Sequence, residues 1–161
     1  MKVPTRAITA SAVAAAIIFV VTYLIRVPIP GSSAGYLNLG DIAVYLSALL
    51  LGPLPAAAAA VGSALSDALA GAALYIPATF VIKGLMGLIC GALARKGRFG
   101  PFVLGCVLSG AVMVFGYAAF EAAAFGFAYA ALSLVPNAIQ WGVGVAVALA
   151  LFPGIRPRKL R

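Results

Sequence analysis

The chain has 161 residues, of which 65% are hydrophobic and only 9% are charged. A soluble domain carries about a quarter charged residues, so this chain lacks the polar side chains needed to cover a surface that faces water. The composition excludes a soluble domain. It predicts an integral membrane protein in which residues 1–161 form a single membrane domain.

The net charge of +8 is concentrated in short segments outside the apolar runs. Nine of the eleven basic residues lie there: Lys2, Arg6, Arg95, Lys96, Arg98, Arg156, Arg158, Lys159 and Arg161. Basic segments that flank apolar runs are typical of the cytoplasmic side of a membrane protein. The distribution therefore favours the lipid bilayer as a partner and argues against nucleic acid.

The apolar runs predict six membrane-spanning helices in an all-α bundle. In chain order they cover residues 7–27, 41–51, 56–73, 75–94, 102–124 and 134–152. The first is read as a retained helix, because its apolar stretch of about twenty residues is longer than the core of a usual signal peptide. A Pro/Gly-rich loop follows it, and Pro136 is placed in the first turn of the sixth helix. Residues 125–133 fit either a helix end or a loop.

An even number of crossings puts the two termini on one side of the membrane. The basic loop at 95–98 then lies on that side as well, so topology and charge agree on cytoplasmic termini. Small residues at a spacing of four indicate close helix contacts, at Ala10 and Ala14, at Ala12 and Ala16, and at Gly87 and Gly91.

Several kinds of chemistry are missing from the sequence. The chain has no histidine, and its two cysteines, Cys90 and Cys106, lie inside apolar runs without metal-ligand spacing. We interpret both cysteines as packing residues. There is no Walker A loop and no evident pair of nucleophile and base, so the sequence predicts no catalytic residue, metal site or cofactor.

The few charged residues inside the apolar runs are Asp41, Asp67, Lys83 and Glu121. Each ionised group near the centre of a bilayer costs at least ~2.5–3.5 kcal/mol, so each should face the protein interior and have a partner. The predicted topology places all of them in the outer third of the bundle. Asp41 is predicted to be an N-cap, with a ligand contact as the alternative, and Asp67 either pairs with Lys83 or contacts a ligand.

Helical spacing groups further polar residues with these charges. Residues three or four apart share a helix face; such sets are Thr79 with Lys83, Tyr117 with Glu121, and Asn137 with Gln140 and Trp141. Three polar stripes with aromatic neighbours at one depth predict a pocket for a small polar ligand that contains a ring. The alternative for Trp141 and the tyrosines is an interfacial aromatic belt.

Five blocks of the sequence resemble a known family. They read NLGD at 38–41, LGP at 51–53, GSALSD at 62–67, PATFVIKG at 77–84 and PNAIQ at 136–140. In order and spacing they are similar to the S components of energy-coupling factor (ECF) transporters, the subunits that bind water-soluble vitamins, and the similarity spans essentially the whole chain.

The resemblance implies a location, partners and a set of site residues. An S component lies in the bacterial or archaeal cytoplasmic membrane and works with a transmembrane T component and two cytoplasmic ATPases. The ligand is enclosed by the first loop, here 28–38 with Tyr36 and Asn38, and by helices four to six. The motif that meets the T component maps onto Ala10 and Ala14, or onto the shifted pair Ala12 and Ala16.

The blocks look most like the subgroup for pyridoxine, hydroxymethylpyrimidine or riboflavin, and we expect one of the first two, with riboflavin next. A second hypothesis is a free-standing, proton-coupled carrier that uses Asp67 and Glu121 as titrating groups. A third is a small membrane enzyme or assembly factor, which the missing catalytic groups make the least favoured.

Overall fold

The computed structural model describes residues 4–28 and 36–155, which form six α-helices and one small antiparallel sheet. The helices are α1 Thr5–Leu24, α2 Gly40–Leu51, α3 Pro55–Leu69, α4 Ile76–Ala94, α5 Phe99–Phe125 and α6 Phe127–Leu151. The strands are β1 Arg26–Pro28 and β2 Tyr36–Asn38, and short 3-10 turns occupy Ala73–Tyr75 and Phe152–Gly154.

The bundle is built for a lipid environment. Within the described residues, four helical segments are long and apolar enough to cross a membrane: Thr5–Leu24, Ala73–Ala94, Phe99–Phe125 and Phe127–Gly154. Helix α2 has 12 residues and α3 has 15, which is roughly 18 and 23 Å at 1.5 Å per residue. Large aliphatic side chains point outward along the long helices, for example Leu24 and Val135. The predicted all-α membrane bundle of six helices is confirmed.

Several predicted helix boundaries were wrong. Helix α1 ends at Leu24 rather than at 27, because the chain enters β1 two residues later. Helix α3 ends at Leu69 rather than at 73. Helix α5 extends beyond 102–124 at both ends.

The largest boundary error concerns α6, which begins at Phe127 rather than at 134. Gly126, with φ of 94°, ends α5 and starts α6 within a single residue. That backbone conformation favours glycine. Pro136 consequently lies inside α6, not in its first turn. A membrane helix tolerates an internal proline when its surroundings satisfy the freed carbonyl.

A β-hairpin connects α1 to α2, where the sequence predicted only a loop. Arg26 pairs with Asn38, Val27 with Leu37, and Pro28 with Tyr36. Proline disfavours helical backbone in the residue before it, so Val27 adopts an extended conformation. The predicted loop residues 29–35 and the basic residues Lys2, Arg156, Arg158, Lys159 and Arg161 lie outside the described ranges.

The helices alternate in direction, which defines two ends of the bundle. The hairpin end carries the hairpin, the turn between α3 and α4, and the turn between α5 and α6. The tail end carries the start of α1, the turn between α2 and α3, and the basic loop between α4 and α5.

Small residues allow the helices to approach closely, as expected in lipid. A side chain at Gly87 would touch the backbone of Ala56, and one at Gly91 would collide with the backbone of Gly52. The predicted contact role of Gly87 and Gly91 is confirmed. Gly62 plays the same part between α3 and α1, where an added Cβ would meet the Ala15 carbonyl.

The apolar core lies mainly between α2, α4 and α5. Cys90 and Cys106 are fully buried there, with their sulfur atoms 4.0 Å apart, and both thiols are free. Met86, Phe102 and Met113 pack in the same cluster. The two cysteines act as packing residues, as the sequence predicted, and the polar side chains gather on the hairpin side of this core.

Candidate substrate-binding site

A buried ion pair connects α4 to α2. The Lys83 ammonium donates to Oδ1 of Asp41, and both side chains are almost completely buried. Nε2 of Gln140, on α6, donates to the other carboxylate oxygen of Asp41 at 2.7 Å. Asp41, Lys83 and Gln140 form what we call the lysine network. Because two donors satisfy both oxygens of Asp41, a charged pair is tolerated at membrane depth.

This network corrects two predictions. Asp41 does not cap α2: the N-cap is Leu39, with no side-chain cap hydrogen bond, and Asp41 lies inside the first turn. The partner of Lys83 is Asp41 rather than Asp67. Asp41 and Asp67 both occur at the hairpin ends of their helices, and helical spacing alone does not tell which of them faces α4.

The hairpin is fastened to the bundle by its second strand. The backbone N–H of Asn38 donates to Oε1 of Gln140 at 2.8 Å, and Oδ1 of Asn38 accepts from the Gly40 N–H at 2.9 Å. The Tyr36 hydroxyl donates to Oδ1 of Asp67 on α3. Burial, reinforced by the Asp67 carboxylate, raises the pKa of Tyr36, so its hydroxyl remains a donor.

Between these groups, α4 and α5 share a second polar contact. The hydroxyls of Thr79 and Tyr117 lie 2.8 Å apart. The Lys83 ammonium lies 5.8 Å from the centre of the Tyr117 ring, within the range of a cation–π interaction. Thr79 and Lys83 therefore point to the same interior face, as their spacing of four predicted.

Glu121 is the centre of a separate cluster at the hairpin end. Its Oε1 accepts from the Tyr75 hydroxyl at 2.9 Å, and its Oε2 accepts from the Ser133 hydroxyl. The Tyr75 and Tyr129 hydroxyls lie 3.3 Å apart. Tyr75, Glu121, Tyr129 and Ser133 form what we call the glutamate cluster. Within the described ranges, no lysine or arginine forms an ion pair with this carboxylate.

Aromatic rings surround the glutamate cluster. The Tyr75 ring lies 5.3 Å from Phe120, 5.9 Å from Phe125 and 6.2 Å from Tyr117. The Phe125 and Tyr129 rings are 4.7 Å apart. Tyr75 and Tyr117 thus connect the glutamate cluster to the polar contacts around Lys83, and the whole forms one polar layer.

Two further predicted site residues lie on α6. Asn137 is 7% exposed and shares the buried stripe of α6 with Ser133 and Gln140. The indole N–H of Trp141 is buried and has no hydrogen-bond partner among the described residues. Trp141 packs over Gly110, where any side chain would collide with the indole. Gly110 lies eleven residues before Glu121 on α5, about 16 Å away, so Trp141 is deeper than the glutamate cluster.

More unpartnered oxygens lie where α3 faces α1. Within the described residues, Thr22, Ser63 and Ser66 each bury a hydroxyl that has no hydrogen-bond partner, and Oδ2 of Asp67 has none. A buried polar atom without a partner is costly. The polar layer therefore has free hydrogen-bonding capacity on its α3 side as well as on α6.

A groove of about 220 Å³ lies between the hairpin and α6. Among the described residues that line it, Asn38 and Gln140 are polar, and the others are aliphatic: Ile25, Val27, Leu37, Leu39, Ile139 and Val143. Because several of these aliphatic side chains are exposed, the groove opens toward lipid and lies at the edge of the polar layer.

The burial and grouping of the predicted site residues are as expected. Thr79, Lys83, Glu121, Asn137 and Gln140 are all buried inside the bundle. Tyr36, Asn38 and Tyr117 are hydrogen-bonded to Asp67, Gln140 and Thr79, respectively, and the Trp141 indole packs over Gly110.

Sequence reasoning missed two partners of Glu121, Tyr75 and Ser133. A signal for Ser133 was available, because it precedes Asn137 by four residues and Gln140 by seven, and all three form one buried stripe on α6. Ser133 was overlooked because the predicted start of α6, at 134, left it outside the helix. Tyr75 lies in a 3-10 turn before α4, where no helical period applies.

Comparison with known proteins identifies the family. A family model described as "ECF-type riboflavin transporter, S component" matches residues 2–157. The chain belongs to this family. A Pyrococcus woesei protein described as "Uncharacterized protein in gap 3'region" is 40% identical over 130 residues, or 80% of this chain and 86% of that protein. The "Thiamine precursor transporter HmpT" of Lactococcus lactis subsp. cremoris (strain MG1363) is 33% identical over 147 residues, or 91% and 85%.

Membership in the S component family confirms the coarse functional prediction. The chain is a substrate-binding subunit of a vitamin-type transporter, a multi-pass protein of the cytoplasmic membrane, and not an enzyme. The predicted resemblance is confirmed by the same match.

Proposed function

We propose that this S component captures an aromatic nitrogen heterocycle of the pyridoxine or hydroxymethylpyrimidine type, with riboflavin as the next candidate. The observation that carries the proposal is the buried polar layer at the hairpin end, which has aromatic walls and unused polar groups. The HmpT relative, named for a thiamine precursor, supports the first choice, and the family description supports the second.

The proposed ligand contacts are the nine residues whose types and spacing predicted a pocket: Tyr36, Asn38, Thr79, Lys83, Tyr117, Glu121, Asn137, Gln140 and Trp141. Asn137 is among them because it is 7% exposed and shares the buried stripe of α6 with Gln140. A bound ligand with ring nitrogens and hydroxyls supplies partners for such groups, and the tyrosine rings offer stacking surfaces.

The proposed protein partners are a transmembrane T component and two cytoplasmic ATPases, as in other S components. Ala14 is buried and Ala10 is half-buried, whereas Ala12 and Ala16 are exposed on α1. A helix-packing partner needs an accessible small-residue face. This exposure supports the shifted pair Ala12 and Ala16 as the contact with the T component.

Titration of the purified chain with a panel of vitamins tests the proposal. Pyridoxine, hydroxymethylpyrimidine and riboflavin should include at least one ligand, and Lys83→Ala or Glu121→Ala should weaken its binding. Ser109→Ala is the control, because the Ser109 hydroxyl donates to carbonyls of its own helix and none of the proposed ligand contacts is its partner among the described residues. Absence of binding to any heterocyclic vitamin, by protein shown to be folded, would contradict the proposal.

The alternative is a proton-coupled carrier that works alone. Oδ2 of Asp67 lacks a partner, and Glu121 lacks a basic one, within the described ranges, so both acids could exchange protons during transport. Purified chain in liposomes distinguishes the two. Uptake driven by a pH gradient without ATPases supports the carrier, and uptake that requires the T component and ATP excludes it.

A further inference from the structure

The charges in the polar layer are distributed unevenly. All three acids of the chain lie in this layer, and Lys83 is the one lysine among the described residues there. Lys83 is already neutralised by Asp41. The guanidinium of Arg26 stacks on Tyr23 at 4.4 Å and on Tyr36 at 5.4 Å, which puts it at the hairpin beside Asp67. Among the residues that the structure describes, Glu121 is left without a countercharge.

The hydrogen-bond donors around Glu121 leave its carboxylate able to accept further hydrogen bonds. Each of its oxygens accepts one hydroxyl hydrogen, from Tyr75 and from Ser133. Each carboxylate oxygen has two lone-pair sites, so both oxygens can accept one more donor. A buried carboxylate gains most from a partner that brings both an N–H and a positive charge.

The rings beside Glu121 favour the same kind of partner. Tyr75, Phe120, Phe125 and Tyr129 pack together as a box of rings, with centroid separations of 4.7 to 6.1 Å between contacting pairs. The faces of aromatic rings attract cations and stack on flat heterocycles. A negative group next to such a box is complementary to a flat cation and repels an anion.

We propose that the glutamate cluster recognises a basic aminoheterocycle through its protonated ring nitrogen, with Glu121 as the acceptor, and that it rejects neutral and phosphorylated ring compounds. The inference rests on the proposed function and narrows its ligand to a class. An aminopyrimidine fits this class and a neutral flavin ring does not. A phosphate ester adds negative charge beside a carboxylate that has no cationic partner within the described ranges.

The test uses ligands that differ at one feature. The parent is 4-amino-5-hydroxymethyl-2-methylpyrimidine, and its analogues are the carbocycle with both ring nitrogens replaced by CH, the phosphate ester, and riboflavin. Calorimetry on the purified full chain should show the parent binding at least about 10-fold more tightly than every analogue, since a charge-assisted hydrogen bond contributes about 1.5–3 kcal/mol.

Variants then assign the effect to Glu121. Glu121→Gln keeps the shape but removes the charge, and it should cost the parent about 10- to 100-fold in affinity while leaving the weak affinity for the carbocycle unchanged. Glu121→Asp should retain part of the preference for ring nitrogens. Ser109→Ala should match the wild type. A purely structural Glu121 would lower Tm without changing the ratio between parent and carbocycle.

The outcomes separate this inference from the proposed function. If the wild type binds parent and carbocycle equally, or prefers riboflavin or a phosphate ester, the inference is wrong and the vitamin-binding function stands. If folded wild type binds no heterocycle at all, the proposed function fails. If Glu121→Gln does not fold, the comparison of parent and carbocycle on the wild type still decides.

Discussion

Lys83 neutralises the buried Asp41 carboxylate in the interior of this bundle. An ammonium inside a membrane protein requires a carboxylate partner, and Asp41 supplies it while Gln140 occupies the second oxygen of that carboxylate. The pair links α4 to α2, and Gln140 adds α6. Removing either charge leaves the other buried without compensation.

Lys83→Met should therefore destabilise the protein by about 3–5 kcal/mol, the usual effect of isolating one member of a buried ion pair. Adding Asp41→Asn should recover much of the loss, because the stranded carboxylate is then neutral. Thermal unfolding in detergent measures both variants. Equal Tm for the wild type and Lys83→Met would show that the ion pair does not contribute to the stability of the fold.

Trp141 offers a spectroscopic test of the local packing, because it is the only tryptophan in the chain. Gly110→Ala places a methyl group where the indole now lies, which should cost about 1–3 kcal/mol and shift the fluorescence as the ring moves. Gly142→Ala, next to Trp141, is the matched control, since its methyl group meets no atom within 4 Å. Identical spectra for Gly110→Ala and the wild type would contradict this packing.

At the scale of elements, the sequence predicted the number and order of the helices well and the connections poorly. The length of each apolar run identifies each helix. The turn between α5 and α6 was not predictable in this way, because it consists of Gly126 alone and not of a run of turn-forming residues. The hairpin between α1 and α2 was not predicted, because strands of three residues are too short to show an alternating pattern. Polar stripes on α4, α5 and α6 were predictable from spacing. The pairing of Lys83 with Asp41 was not, because it depends on how α2 is rotated about its own axis relative to α4.

The exposed face of α1 gives a prediction about assembly. Ala12→Leu with Ala16→Leu should weaken co-purification with the T component and leave vitamin binding unchanged, because bulky side chains prevent close helix contact. Ala92→Leu, on an exposed face of α4, controls for added volume in lipid. If Ala10→Leu alone abolished co-purification, while Ala12→Leu and Ala16→Leu behaved as wild type, the contact with the T component would be the pair Ala10 and Ala14.

At the scale of the whole molecule, the basic loop and the polar layer lie at opposite ends. The described basic residues of the α4–α5 loop, Arg95, Lys96 and Arg98, lie at the tail end, and the polar layer lies toward the hairpin end. Basic loops are retained in the cytoplasm. The polar layer would then open to the outside, where a nutrient is captured before import.

Cysteine labelling in intact cells tests this orientation. Cys90 and Cys106 are completely buried, and replacing both with alanine gives a background without thiols. In it, Phe127→Cys, at the hairpin end and 84% exposed, should react with a membrane-impermeant maleimide added outside. Lys96→Cys, exposed at the tail end, should react only after the cells are permeabilised. The reverse pattern would place the polar layer on the cytoplasmic side, which is incompatible with capture of an external vitamin.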